Sequence, residues 1–257
     1  MKSQLSSDTT IVFVTGASEG IGLQVARTLS TPSLHPNYHV IIGSITTEAG
    51  EEAVTLLLKE DPTRCLSTVQ IDVTSDTSIQ EAAAWILSNF GRVDILINNA
   101  GVLLDGLDQS TTSRSLFQRT FEVNLFGAAA VTESLTPLLA ASSKAHPKII
   151  FMTSRLGSLA AKANPNDPAA ARFFPHYRSS KCALNMVMLH YASVFGEKGW
   201  AVYGCDPGIT NTDLTREQND VRKQSVEDGA REVIRLATEG SFEESGRFGN
   251  TGGTIAW

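Results

Sequence analysis

Short runs of β-branched and aliphatic residues alternate along this chain with longer stretches whose apolar residues recur every three or four positions. The runs at 11–14, 38–42, 66–73, 93–97, Lys148–Met152 and 200–205 predict strands. The stretches Gly20–Leu29, 48–59, 78–90, 112–141 and 177–195 predict helices, the fourth holding Pro137 near its end. Short, wholly apolar strands alternating with amphipathic helices indicate a parallel sheet buried on both faces. The expected fold is therefore α/β: a doubly wound parallel sheet of about seven strands with helices on both faces. No linker or low-complexity segment divides the chain, so residues 1–257 read as one domain. Two segments interrupt the rhythm. TPSLHPN at 31–37 lengthens one connection, and 155–176, with Pro165, Pro168 and Pro175, lengthens another. Long connections in compact domains are commonly functional or disordered, and the second reads as an inserted active-site loop or, equally, as a surface excursion.

Composition acts by exclusion. Of 257 residues, 42% are hydrophobic and 19% charged, which supports a sizeable core and excludes a disordered chain. A net charge of −6 leaves no basic footprint for nucleic acid. The apolar runs are too short to span a bilayer, and the polar first ten residues lack a signal-peptide core, so no membrane partner is expected. Cys65, Cys182 and Cys205 are odd in number and fit a reduced, cytoplasmic protein. His35, His39, His146, His176 and His190 do not pair at i, i+4, and no metal site is expected. His176, beside Tyr177, reads more as loop packing than as a substrate contact.

Candidate chemistry clusters at element boundaries. Thr15-Gly16-Ala17-Ser18-Glu19-Gly20-Ile21-Gly22 joins the first strand to the first helix. Glycines there allow a tight turn and close approach to a pyrophosphate, which the free N–H groups of the helix N-terminus would bind. A tight turn without a ligand has the same local pattern. No Gly-Lys-Ser/Thr follows, which excludes a nucleotide-triphosphatase phosphate loop. Asp72-Val73 closes the third strand and Asn98-Asn99-Ala100-Gly101 the fourth. An acid at the first could accept from an adenine amino group, or merely cap a turn. Tyr177 and Lys181 stand four residues apart, on one face of a helix. An ammonium beside a phenol, with any cationic ring next to it, favours phenolate and is expected to bring the Tyr177 pKa toward neutrality. Ser154 ends the fifth strand, where it can hydrogen-bond a substrate oxygen; it has no His and Asp partners at hydrolase spacing.

The order of these motifs, with Asn124 and Pro207-Gly208, resembles the single-domain branch of the short-chain dehydrogenase/reductase family, over residues 10 to 215. The C-terminal stretch is similar to its fungal carbonyl-reductase-like members. The resemblance implies a Rossmann-type fold and a tetrad of Asn124, Ser154, Tyr177 and Lys181. Tyr177 would be the general acid/base and Lys181 would hold the nicotinamide ribose. Ser154 would orient the carbonyl oxygen, and Asn124 would hold a water linking Lys181 to solvent. Gly16, Ser18, Gly20, Ile21 and Gly22 would cradle the pyrophosphate. Asp72 and Val73 would flank the adenine, Asn98 and Gly101 the adenine ribose, and Ile209 and Thr212 the carboxamide and diphosphate. Residues 211–224 would form a substrate lid.

Two departures bear on specificity. Ser154 and Tyr177 are 23 positions apart, longer than the family's spacing, which adds a wall of unknown shape. The second strand ends Gly43-Ser44-Ile45-Thr46, with neither the acid that binds NAD nor the Arg that suits NADP. Glu19 stands where NADP users often carry a basic residue. With no repelling acid on that strand, and Ser44 and Thr46 as hydroxyl donors, NADP(H) is preferred and NAD(H) stays possible. The reading is an oxidoreductase passing hydride between NADP(H) and a carbonyl or secondary alcohol of a small molecule, in secondary metabolism. A dehydratase, epimerase or isomerase on the same scaffold, or a non-catalytic NADP(H)-binding regulator, are the alternatives. The resemblance implies a homodimer or homotetramer.

Overall fold

The computed structural model describes residues 8–105, 112–171, 173–216 and 223–257. β1 (Thr10–Val14), α1 (Gly20–Leu29), β2 (Tyr38–Ser44), α2 (Thr47–Glu60), β3 (Leu66–Gln70), α3 (Asp76–Phe90) and β4 (Ile95–Asn98) form the first half. Then come α4 (Ser113–Phe121), a π-helical turn (Glu122–Gly127), α5 (Ala128–Ala140), β5 (Lys148–Met152), α6 (Leu159–Ala163) and α7 (Pro175–Gly196). β6 (Ala201–Cys205), α8 (Val226–Glu239), β7 (Phe248–Asn250) and β8 (Gly253–Thr254) complete the chain. The sheet order is β3-β2-β1-β4-β5-β6-β7-β8. All neighbours are parallel except β7 and β8, which are antiparallel. The eighth strand, beyond the seven expected, is a two-residue return across a turn at 251–252.

Alternation along each strand sends neighbouring side chains to opposite faces. Ile11, Phe13, Leu96, Ile149 and Phe151 pack with Ile86, Leu135 and Leu184 of α3, α5 and α7. Val12, Val14, Ile42, Ile97 and Ile150 pack with Val25, Leu57 and Val233 of α1, α2 and α8. Side-chain caps start the helices: Thr46 for α2, Ser75 for α3, Thr112 for α4 and Ser225 for α8. The helical stretch Ser113–Ala140 is long and apolar enough to cross a membrane, but Val131, Leu135, Leu138 and Leu139 on it pack into this core.

Two boundaries differ from the pattern. β3 stops at Gln70 because the Asp72 carboxylate accepts from the Thr74 N–H (2.9 Å) and hydroxyl (2.7 Å), turning the chain. α8 escapes the pattern reading because its apolar stripe is narrow: Ala230, Val233, Leu236 and Ala237 lie among six charged residues.

The order of strands reverses at β1, which lies between β2 and β4. The crevice outside the carboxyl ends of strands at such a point is where open α/β sheets bind ligands.

Candidate active site

The glycine turn after β1 is built for close approach. Gly16 and Gly20 hold positive φ values of 60° and 54°. A Cβ on Gly22 would lie 2.4 Å from the Gly16 carbonyl oxygen and 2.5 Å from Asn99 Nδ2. Asn99 fastens this turn: its Nδ2 donates to the carbonyls of Thr15 (2.9 Å) and Gly16 (2.8 Å). The α1 N-terminus begins at Glu19, which has extended backbone and makes no side-chain cap. Its first N–H groups are therefore available to an anion, and the cradle fits a pyrophosphate.

From this turn a cleft of about 450 Å³ runs to α7. Gly16, Ser18, Gly20, Ile21, Asp72, Val73, Gly101, Tyr177, Lys181 and Thr212 line it. Its charged lining is Glu19, Asp72, Asp213 and Lys181. Gly22, Ser44, Asn98, Asn124, Ser154 and Ile209 lie outside the lining. Gly22 is a packing glycine under the turn. Ser44 is buried and its hydroxyl donates to the Thr46 carbonyl (2.7 Å), so it is no donor to a cofactor phosphate. Asn98 points into the core, its Nδ2 donating to Thr132 Oγ1 (2.9 Å); Asn99, Ala100, Ile45 and Thr74 hold the wall instead. Ile209 sits at the base of the expected lid, where its carbonyl accepts from the Gln224 N–H (2.9 Å). Thr212, Asp213 and Leu214 of that lid line the cleft, while its residues 217–222 lie outside the described residues.

α7 carries Tyr177 and Lys181, and its start is fixed from afar. Phe174, which precedes the helix, has left-handed backbone (φ 64°) and caps nothing. The cap is Asp105, whose carboxylate accepts from the N–H groups of His176 (3.0 Å) and Tyr177 (3.1 Å) and from His176 Nδ1 (2.7 Å). His176 is thus a buried packing residue, edge-on to Phe117. Arg178, also buried, donates to the carbonyls of Phe173 and Ala169 (each 2.6 Å) and holds down the 155–176 excursion. Among its described residues that excursion does not line the cleft. It lies beside α7 and the C-terminal residues, with Ser158 Oγ donating to the Ala256 carbonyl (2.6 Å).

Lys181 Nζ lies 5.6 Å from the centre of the Tyr177 ring and donates to the Met152 carbonyl (2.7 Å). Burial pulls its pKa down to about 8. Tyr177 shifts the opposite way from expectation. Burial, and then the charge of Asp206, push the phenol above the ordinary tyrosine value, while a hydrogen bond with Ser154 opposes them. The ammonium one turn along does not overcome desolvation of the phenolate. Asn124 lies behind the cleft in the π-helical turn. Its Nδ2 donates to the Val102 carbonyl (2.9 Å) and Ser180 Oγ (3.0 Å), and its Oδ1 accepts from the Val102 N–H (2.7 Å). No group of His, Cys, Asp and Glu among the described residues could hold a metal.

The family model for short chain dehydrogenases matches residues 10–223. The short-chain dehydrogenase anuI of Penicillium roqueforti is 34% identical over 236 residues, covering 91% of this chain and 90% of its own. The short-chain dehydrogenase/reductase ATR10 of Stachybotrys chlorohalonatus is 36% identical over 248 residues, covering 93% and 87%. Among solved structures, NADPH-bound carbonyl reductase from chicken fatty liver superposes with a TM-score of 0.78 at 25% identity, covering 97% of this chain and 99% of that one. The chain belongs to the short-chain dehydrogenase/reductase family. It is an oxidoreductase that uses a nicotinamide cofactor.

Proposed function

We propose that this chain is a carbonyl reductase that prefers NADP(H) and acts on a ketone or aldehyde, or in reverse on a secondary alcohol, of a small organic molecule. The cytoplasm and secondary metabolism are its proposed setting. The observation that carries the reading is the single cleft joining the glycine turn to Tyr177 and Lys181. A bound nicotinamide supplies or accepts the hydride. Tyr177, whose raised pKa keeps it protonated at neutral pH, donates its Oη proton to the carbonyl oxygen in reduction. Ser154 orients that oxygen. Lys181 uses one N–H on the Met152 carbonyl, leaving two for ribose hydroxyls. Asn124 has its amide engaged, so a water serving Lys181 would sit on a backbone carbonyl freed by the π turn. The excursion begins just after Ser154 and ends just before Tyr177, so its two ends would flank the substrate.

NADP(H) is favoured because no acid follows β2, where Ile45 and Thr46 stand. A homodimer or homotetramer would cover the apolar side chains of Phe126 and Met186, exposed on the π turn and α7. To test the activity, NADPH or NADH is mixed with a ketone panel (1-decalone, ethyl acetoacetate, acetophenone) and loss of reduced-cofactor absorbance is followed. A product two hydrogens heavier supports reduction. A product of unchanged mass, or tight NADPH binding with every ketone left intact, would overturn it.

A further inference from the structure

Asp206, the first residue after β6, is 5% exposed. Its Oδ1 accepts from the backbone N–H groups of Arg155 (3.0 Å) and Gly208 (3.3 Å), and its Oδ2 accepts from Asn250 Nδ2 (3.2 Å). The orientation of the Asn250 amide is fixed, because its own Oδ1 accepts from the Gly252 N–H (2.9 Å). All three partners are donors, so the carboxyl oxygens serve them only as acceptors. Among the described residues these partners are neutral groups. A buried acid held by such dipoles alone costs stability and calls for a function.

Its partners say where that function lies. Arg155 directly follows Ser154, and Gly208 (φ 70°) follows Pro207, which lines the cleft. β5 and β6 are neighbours, with Met152 opposite Cys205. The carboxylate therefore bolts together the two strand ends that face Tyr177. We infer that Asp206 is a positioning residue: its buried carboxylate locks the Ser154 turn onto the Pro207–Gly208 turn and so holds Ser154 and that wall of the cleft in register with Tyr177. This rests on Tyr177 being the proton donor.

Other charged groups surround the region. Lys181 lies on α7, Asp105 caps that helix, and Asp213 comes from the lid. The Arg155 side chain turns away to Asp167 (2.5 Å), and on α8 Asp228 pairs with Arg231, Glu232 with Arg235 and Arg247. The charge of Asp206 adds to burial in pushing the phenol up.

The test is ketone reduction by NADPH-saturated enzyme, using the fastest of 1-decalone, ethyl acetoacetate and acetophenone. Asp206→Ala removes the acceptor and lowers kcat by about tenfold or more, with the NADPH dissociation constant unchanged. Asp206→Asn keeps an oxygen for the Arg155 and Gly208 N–H groups and recovers most of that loss. Should Asp206→Ala fail to fold, Asn250→Ala, which frees one carboxylate oxygen, decides with a smaller loss of kcat in the same direction. A kcat unmoved in every folded variant, with Tyr177→Phe inactive, overturns the inference and leaves the catalytic reading standing. An active Tyr177→Phe overturns the catalytic reading itself.

Discussion

The Asn124 side-chain amide grips the backbone of Val102 at both ends, donating to its carbonyl at 2.9 Å and accepting from its N–H at 2.7 Å. The grip fixes the segment after β4 that lines the cofactor cleft, where Gly101 would bring a Cβ within 3.3 Å of Asn124 Oδ1. Asn124→Ala leaves two backbone groups and Ser180 Oγ without this partner in a buried setting. It should lower unfolding free energy by about 2 to 3 kcal/mol in urea denaturation. A loss within about 0.5 kcal/mol would show that the segment is held some other way.

Lys181 is a buried amine whose pKa falls to about 8 from 10.5. Between these values the unfolded chain binds a proton that the folded chain does not, so stability rises as pH climbs from about 8 to 10.5. Below that window the full cost of burying the ammonium is present. Lys181→Met is therefore expected to be more stable than the wild type at pH 7 by about 1 to 3 kcal/mol, an advantage that shrinks toward pH 10. Denaturation at both pH values checks this; a variant less stable at pH 7 contradicts it.

The sequence displays the parts of this fold that arise locally. Whole apolar strands, the glycine turn and the Tyr177–Lys181 spacing depend on residues near one another in the chain, and each stands where the periodicity puts it. What escapes the sequence is long-range. Asp105 caps α7 from 71 residues away, and nothing around Asp105 or Phe174 signals the pairing. Asp206 looks like a turn residue until Arg155 and Asn250 converge on it. Ser44 and Asn98 carry suitable groups at suitable strand ends. Which face each side chain takes, and which partner it finds there, is decided by packing against Thr46 and Thr132. The phenol's acidity also depends on burial, which proximity in sequence does not report.

Glu19 and Asp72 line the cleft, and among the lining residues Lys181 is the only cation, at the opposite end. A cofactor 2′-phosphate carries nearly two negative charges and would meet a carboxylate at Glu19. Glu19→Arg should raise kcat/KM for NADPH by about tenfold while leaving NADH within about twofold. Equal changes for both cofactors would place Glu19 away from the phosphate.

Arg178 holds the excursion through two backbone carbonyls. Arg178→Ala removes both bonds and should speed amide hydrogen exchange across residues 167–171 and at Phe173 and Phe174 by about tenfold or more, while β1 and β4 stay protected. Unchanged exchange there would mean that Lys162, which also donates to Ala170 and Ala171, and the C-terminal residues suffice.

The central claim is that the Tyr177 hydroxyl delivers the proton while the cleft holds the cofactor. Tyr177→Phe deletes one oxygen and keeps the ring beside Lys181. Measured with NADPH and the best ketone of the panel, the variant should lose about 10²-fold or more in kcat and bind NADPH with an unchanged dissociation constant. Turnover at the wild-type rate with intact NADPH binding would contradict the account.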